Sequence, residues 1–142
     1  MNLSIGLELA DNDESIGIVV PALGIENYSC YSAADDESEI IPMVKEAISL
    51  ILDDISQNAP ELISKISDLG IRDYRSNNDF EDFNNWMVLE YDFSPYLGKQ
   101  KRINVSLSEG VLQTIDSVVE SRSEYRDRSH FLEVAARHEF SL

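Results

Sequence analysis

Six residues near the C-terminal end, Arg102-Ile103-Asn104-Val105-Ser106-Leu107, alternate strictly between polar and apolar. A period of two belongs to a strand with one buried face and one hydrogen-bonding face. Ile103, Val105 and Leu107 take one side; Arg102, Asn104 and Ser106 take the other. Two helix-length amphipathic stretches follow at once. The first carries Val111, Leu112, Ile115, Val118 and Val119 as its apolar stripe, and Ser106 with Glu109 has the spacing of a capping box. After a turn over 121–126, a second helix capped by Asp127 or Ser129 is expected to bury Phe131, Leu132, Ala135 and Phe140. Roughly 40 residues bury too little apolar surface to be stable alone. A single strand also leaves an unpaired edge. Both deficits disappear when two copies pair strand to strand. The segment therefore predicts a homodimer, with higher assemblies left open, whose shared core is Ile103, Val105, Leu107, Leu112, Ile115, Phe131 and Leu132.

A strand followed directly by two helices is the order of the ribbon-helix-helix fold, in which a two-stranded ribbon, one strand per protomer, enters the DNA major groove. The polar face suits that task, since Arg addresses guanine, Asn adenine and Ser either. Arg102, Asn104 and Ser106 are the candidate base-reading residues. The net charge of −16 argues the opposite, but its distribution resolves the conflict. Residues 1–98 carry four basic side chains (Lys45, Lys65, Arg72, Arg75) against twenty acidic ones, whereas residues 99–142 carry seven of each. The acid belongs to the first part alone, which points to two modules with different partners.

The first module reads as β-β-β-α-(irregular)-β, and the whole chain as α+β. Leu3–Leu9 alternates as a strand, Asp11–Glu14 is a turn cluster, Ser15–Val20 is a second strand ended by Pro21, and Ser29–Ser32 is a short third. Ile40, Ile41, Val44, Ala47, Ile48, Ile51, Leu52 and Ile55 recur at helical spacing. Pro42 must lie in the first turn of that helix, which is expected to begin near Ser38. Residues 57–84 are mixed and polar, with short helices expected around 61–68 and 72–76. Trp86–Phe93 is a fourth strand. The expected boundaries are 1–93 for the first module, 94–99 for a linker and 100–142 for the second. The lone Cys30 excludes an intramolecular disulfide and a cysteine-based zinc site. No apolar run approaches the roughly 18 residues of a membrane span, and the start lacks a basic leader region. A soluble, cytoplasmic protein with no membrane contact is expected.

Several stretches together resemble a known family. Asp92-Phe93-Ser94-Pro95-Tyr96-Leu97-Gly98-Lys99, then Arg102 to Leu107, then Tyr125-Arg126-Asp127-Arg128-Ser129-His130-Phe131-Leu132 resemble the HicB-like antitoxins of bacterial toxin–antitoxin pairs. Gly17-Ile18-Val19-Val20-Pro21 and Cys30-Tyr31-Ser32-Ala33 extend the resemblance toward the N-terminus. Between them, Ala22–Ser29 is a few residues longer than the family's short turn. The resemblance implies a partial RNase H-like N-terminal domain that masks a HicA-type mRNA interferase toxin. It also implies a C-terminal domain that binds operator double-stranded DNA and represses the operon. A protein built to grip RNA phosphates should be basic, so an acidic module is a fitting electrostatic competitor. Lys101 and Arg128 would then contact phosphates, with Ser129 and the N–H groups opening the second helix clamping another.

Rival readings are weaker. A magnesium nuclease needs carboxylates converging on metal, but Asp11, Asp13, Asp35, Asp36 and Glu37 lie in turn-like stretches where acids are ordinary. Asp11–Glu14 lacks the glycine and distant glutamate of a calcium loop. His130 and His138 lack triad or ligand partners in sequence and read as surface residues. Trp86, Tyr91 and Phe93 read as core rather than as a base-stacking platform. No catalytic residue, metal or cofactor is expected, and the chain is not expected to be an enzyme. The remaining alternative is a stand-alone ribbon-helix-helix repressor whose first domain senses a ligand or only oligomerises.

Overall fold

The computed structural model describes residues 1–9 and 15–140, so the expected turn at Asp11–Glu14 lies outside the described residues. Contacts divide the chain into two units, Met1–Leu97 and Gly98–Leu142. The first holds strands β1 (Asn2–Glu8), β2 (Ile16–Val19), β3 (Tyr31–Ala34) and β4 (Asn85–Glu90), with helices α1 (Ile40–Asn58) and α2 (Ile71–Arg75) between β3 and β4. The second holds α3 (Glu109–Ser121) and α4 (Arg128–Phe140). The four strands form one sheet in the order β3-β2-β1-β4, and every neighbouring pair is antiparallel. A helix folded straight back onto its sheet would return the chain for a parallel strand. Here residues 59–84 intervene, and β4 enters antiparallel to β1.

The core forms where the apolar face of the sheet meets α1. Leu3, Ile5 and Ile18 are buried with Val44, Ile48, Leu52 and Ile55, the i, i+4, i+8 stripe that the helical spacing specified. Pro42 is the third residue of α1, where its missing N–H costs no helical bond. The helix proper starts at Ile40 rather than near Ser38. A 3₁₀ turn over Glu37–Glu39 precedes it, capped by Asp36, whose carboxylate accepts the Ser38 N–H.

Alternation in β1 suggested one wet face, yet Ser4 and Gly6 are buried as completely as their apolar neighbours. The polar stretch after α1 covers them. The Asp68 carboxylate accepts the Ser4 backbone N–H (2.7 Å), the Ser4 hydroxyl (2.7 Å) and the Gly70 N–H (2.8 Å). The β1–β2 ladder begins only at Gly6, so Asp68 serves the part of β1 that β2 does not reach. Removing this acceptor would strand three donors at a half-buried site. Asp68→Ala is expected to cost roughly 2–3 kcal/mol, and Asp68→Asn less, in urea unfolding followed by Trp86 fluorescence.

Gly6 is required by a close approach. A Cβ there would sit 2.8 Å from Val19 Cγ1, 3.0 Å from Trp86 Cη2 and 3.1 Å from Phe83 Cβ. Its absence lets the Trp86 ring lie down on the sheet. Trp86 stacks on Tyr74 at 5.9 Å and 10°, with Phe80 edge-on to both rings. Phe93 and Tyr96 are buried in the same core as α1, so the first unit continues to Leu97 through residues expected to be linker. Cys30 is also buried there, which pushes its thiol pKa up to about 11.

Candidate nucleic-acid interface and dimer face

In the second unit, residues 101–108 have no strand pairing among the described residues. The expected strand is there only as an alternating, solvent-facing segment, because a strand needs a second strand and the unit supplies none. Lys101, Arg102, Asn104 and Ser106 are all exposed. So are the apolar Ile103, at 78% of full exposure, and Val105, at 58%, while Leu107 is half-buried. Large aliphatic side chains in consecutive odd positions on an open surface are unusual for a finished core.

Ser108, rather than Ser106, caps α3: its hydroxyl accepts the Val111 N–H at 3.4 Å. The extended segment therefore runs two residues further before the helix begins, which leaves Ser106 outside the cap. Along α3 only Ile115 is buried; Leu112, Val118 and Val119 are half-buried and Val111 is exposed. On α4, Phe131 and Leu132 are half-buried, while Ala135 and Phe140 face solvent, contrary to the expected stripe. Leu107, Val111, Ile115, Val118, Phe131 and Leu132 line an open groove of about 420 Å³. Four of the residues expected to share a dimer core, Leu107, Ile115, Phe131 and Leu132, thus lie around one apolar depression; Leu112 is half-buried on α3 outside its lining, and Ile103 and Val105 precede it on the exposed segment.

Asp127 caps α4, its carboxylate accepting the His130 N–H at 2.8 Å. One of the N–H groups expected to clamp phosphate is therefore already engaged. Ser129 is exposed in the first turn. Arg128 makes a two-pronged pair with Asp116 of α3, both contacts at 2.9 Å. The hydrogen bonds from Arg128 hold the Asp116 carboxyl below the usual carboxylate range. This guanidinium fastens the two helices together, so a phosphate would have to share it or displace Asp116. His130 is buried, contrary to expectation, with Nδ1 accepting the Arg126 N–H at 3.2 Å and its ring beside Tyr125. His138 is exposed.

Among the described residues, no three His, Cys, Asp or Glu side chains gather into a group that could hold a metal ion. Asp11 and Asp13 lie outside the described residues. Asp36 is an exposed helix-capping carboxylate, kept below its usual range by hydrogen bonds from Ser38. Among the described residues no helix is long and apolar enough to cross a membrane. Sequence reasoning missed the aromatic group of Tyr74, Phe80, Phe83 and Trp86. The i, i+3 spacing of Phe80 and Phe83 was its signal, hidden among Asp79, Glu81 and Asp82.

An antiparallel sheet backed by one long helix, followed by a two-helix unit with an open apolar face, defines a small two-unit α+β protein. That fold is shared with the crystal structure of the antitoxin HicB from Burkholderia pseudomallei, at a TM-score of 0.50 and 24% identity, covering 99% of this chain and 97% of that one. Residues 4–136 match the family described as HicB-like antitoxin of bacterial toxin–antitoxin systems. The chain belongs to this family. It is also 31% identical, over 103 residues, to an uncharacterised 14.9 kDa protein from the rep–hol intergenic region of Haemophilus phage HP1, covering 72% of this chain and 74% of the relative.

Proposed function

We propose that this chain is a bacterial cytoplasmic antitoxin with two separable tasks and no catalytic step of its own. Its acidic first unit binds and masks a HicA-type mRNA interferase. Its C-terminal unit pairs with a second copy as a ribbon-helix-helix dimer and binds operator DNA, repressing the operon that encodes both proteins.

One observation carries the DNA-binding half. The segment 102–106 presents apolar and base-reading side chains alternately to solvent, directly before an open groove lined by Leu107, Ile115, Phe131 and Leu132. Antiparallel pairing with the same segment of a second copy turns Ile103, Val105 and Leu107 inward over the two grooves. It leaves Arg102, Asn104 and Ser106 on the outer face of the ribbon, where they read bases. Lys101, Arg128 and Ser129 flank that face as phosphate contacts. The toxin-binding half rests on the family and on the charge, twenty acidic against four basic side chains in residues 1–98.

The two tasks separate on mutation. Arg102→Ala and Asn104→Ala are each expected to weaken operator binding by about 1–3 kcal/mol, roughly 5- to 150-fold, while rescue from a co-expressed HicA-type toxin is unchanged. Anisotropy titration at one fixed salt concentration, paired with a growth assay, checks both. Operator affinity equal to wild type in both variants would remove the readout role. Toxicity that persists beside the wild-type chain would instead leave a stand-alone repressor.

A further inference from the structure

The face of the sheet opposite α1 is only partly covered. The strand register places Tyr31 of β3, Val19 of β2, Gly6 of β1, and Trp86 and Val88 of β4 on this one side. Tyr31 is 60% exposed and Val88 55%, and Phe80, Phe83 and Trp86 between them are half-buried. Tyr31 and Phe83 approach at 6.4 Å, and Phe83 and Phe80 at 6.5 Å. The rings therefore form a continuous shelf from the β3 edge toward β4. Its rim is acidic. Glu8 and Glu90 project from the same face and are exposed, as are Asp79, Glu81 and Asp82. Residues 73–90 carry five carboxylates against one basic side chain, Arg75.

From this we infer that the aromatic shelf on the open face of the sheet is the docking surface for the basic toxin, taking its arginine and lysine side chains over the rings and between the rim carboxylates. The inference rests on the antitoxin reading above and adds where the partner sits. Half-exposed aromatic rings are the side chains that dominate protein interfaces. A guanidinium is attracted to a ring face and to a carboxylate at once, so an acidic rim around aromatics selects a cationic partner. The same rim repels nucleic acid, which removes base stacking as the use of these rings. The shelf is also pre-built. Trp86 is fixed by its stack on Tyr74, and its indole N–H is bonded to the Phe83 carbonyl at 2.9 Å, so little ordering is needed on binding.

The test measures binding of the full-length chain to a purified HicA-type toxin by biolayer interferometry. Tyr31→Arg and Val88→Arg place a cation at exposed positions on the shelf, where the fold tolerates it. Leu50→Arg places the same charge on the exposed side of α1. Both shelf variants are expected to bind on the order of 30-fold more weakly, with wild-type thermal melts, and Leu50→Arg to bind like wild type. Wild-type affinity in both shelf variants, or an equal loss in Leu50→Arg, overturns the shelf while the antitoxin reading stands. A changed oligomeric state in Val88→Arg would assign the face to a second copy and also overturn it. No binding by the wild-type chain would defeat the antitoxin reading and this inference together.

Discussion

Replacing Val105 by Asp is expected to convert the chain to a monomer through its C-terminal unit and to lower operator affinity on the order of 10³-fold, toward the non-specific level. The size follows from geometry. In the proposed dimer Val105 sits at the middle of three inward side chains on each of two paired strands, so each dimer would bury two facing carboxylates. An unpaired buried charge is far more costly than a lost methyl contact. The single chain gives the substitution nothing to disturb, because Val105 is 58% exposed there. Folding of the monomer and dimer formation are thereby separated. Light scattering on the eluting protein should show loss of the C-terminal pairing, with unchanged helical circular dichroism. The conservative Val105→Ile should keep both the dimer and the operator affinity. A Val105→Asp protein that still binds operator at wild-type affinity would rule out strand pairing at this segment.

The largest stability effect is expected in the first unit. Leu52→Ala removes a side chain with no exposed surface from the contact between α1 and the sheet. Such truncations cost about 2–5 kcal/mol, the transfer energy of the lost carbons plus a cavity the neighbours fill only in part. Leu3, Ile5, Ile48 and Ile55 are themselves completely buried, which limits that collapse and favours the upper half of the range. Leu50 makes the control. It lies two residues earlier on the same helix, faces solvent, and Leu50→Ala should fall within about 0.5 kcal/mol of wild type. Urea unfolding read through Trp86, the one tryptophan, reports on this unit directly. With a typical slope for a small domain, the midpoint should drop by roughly 1–3 M.

The elements that periodicity could see are those whose burial is local. Alternation located β1 and β2, and the three- and four-residue spacing located α1 with its buried stripe. Strand ends were misplaced where a partner decides them. β4 stops at Glu90 instead of Phe93, because β1 ends at Asn2 and the last backbone bond runs from the Tyr91 N–H to the Met1 carbonyl. β3 spans Tyr31–Ala34 because Tyr31 pairs with Val19 and Ala34 with Ile16. Cys30 is left to accept the Val20 N–H at the end of the ladder. In the second unit, alternation over 102–107 marked Ile103 and Val105, which a single chain leaves exposed. It could not show that Arg128 is held by Asp116 or that His130 is enclosed, since both depend on how α3 and α4 meet.

By itself, the sequence determined the order of strands and helices in the first unit, the acidic and neutral parts, the family, and the deficit of core in the last 45 residues. Each is a property of spacing or composition along the chain. The tertiary structure alone decided that the polar stretch 59–84 folds over the back of the sheet. There Asp68 satisfies Ser4, Gly6 admits Trp86, and aromatic residues scattered through an acidic segment become one surface. Those relations join positions up to 80 residues apart, Gly6 to Trp86, and no local pattern encodes a contact whose two sides have different neighbours in sequence.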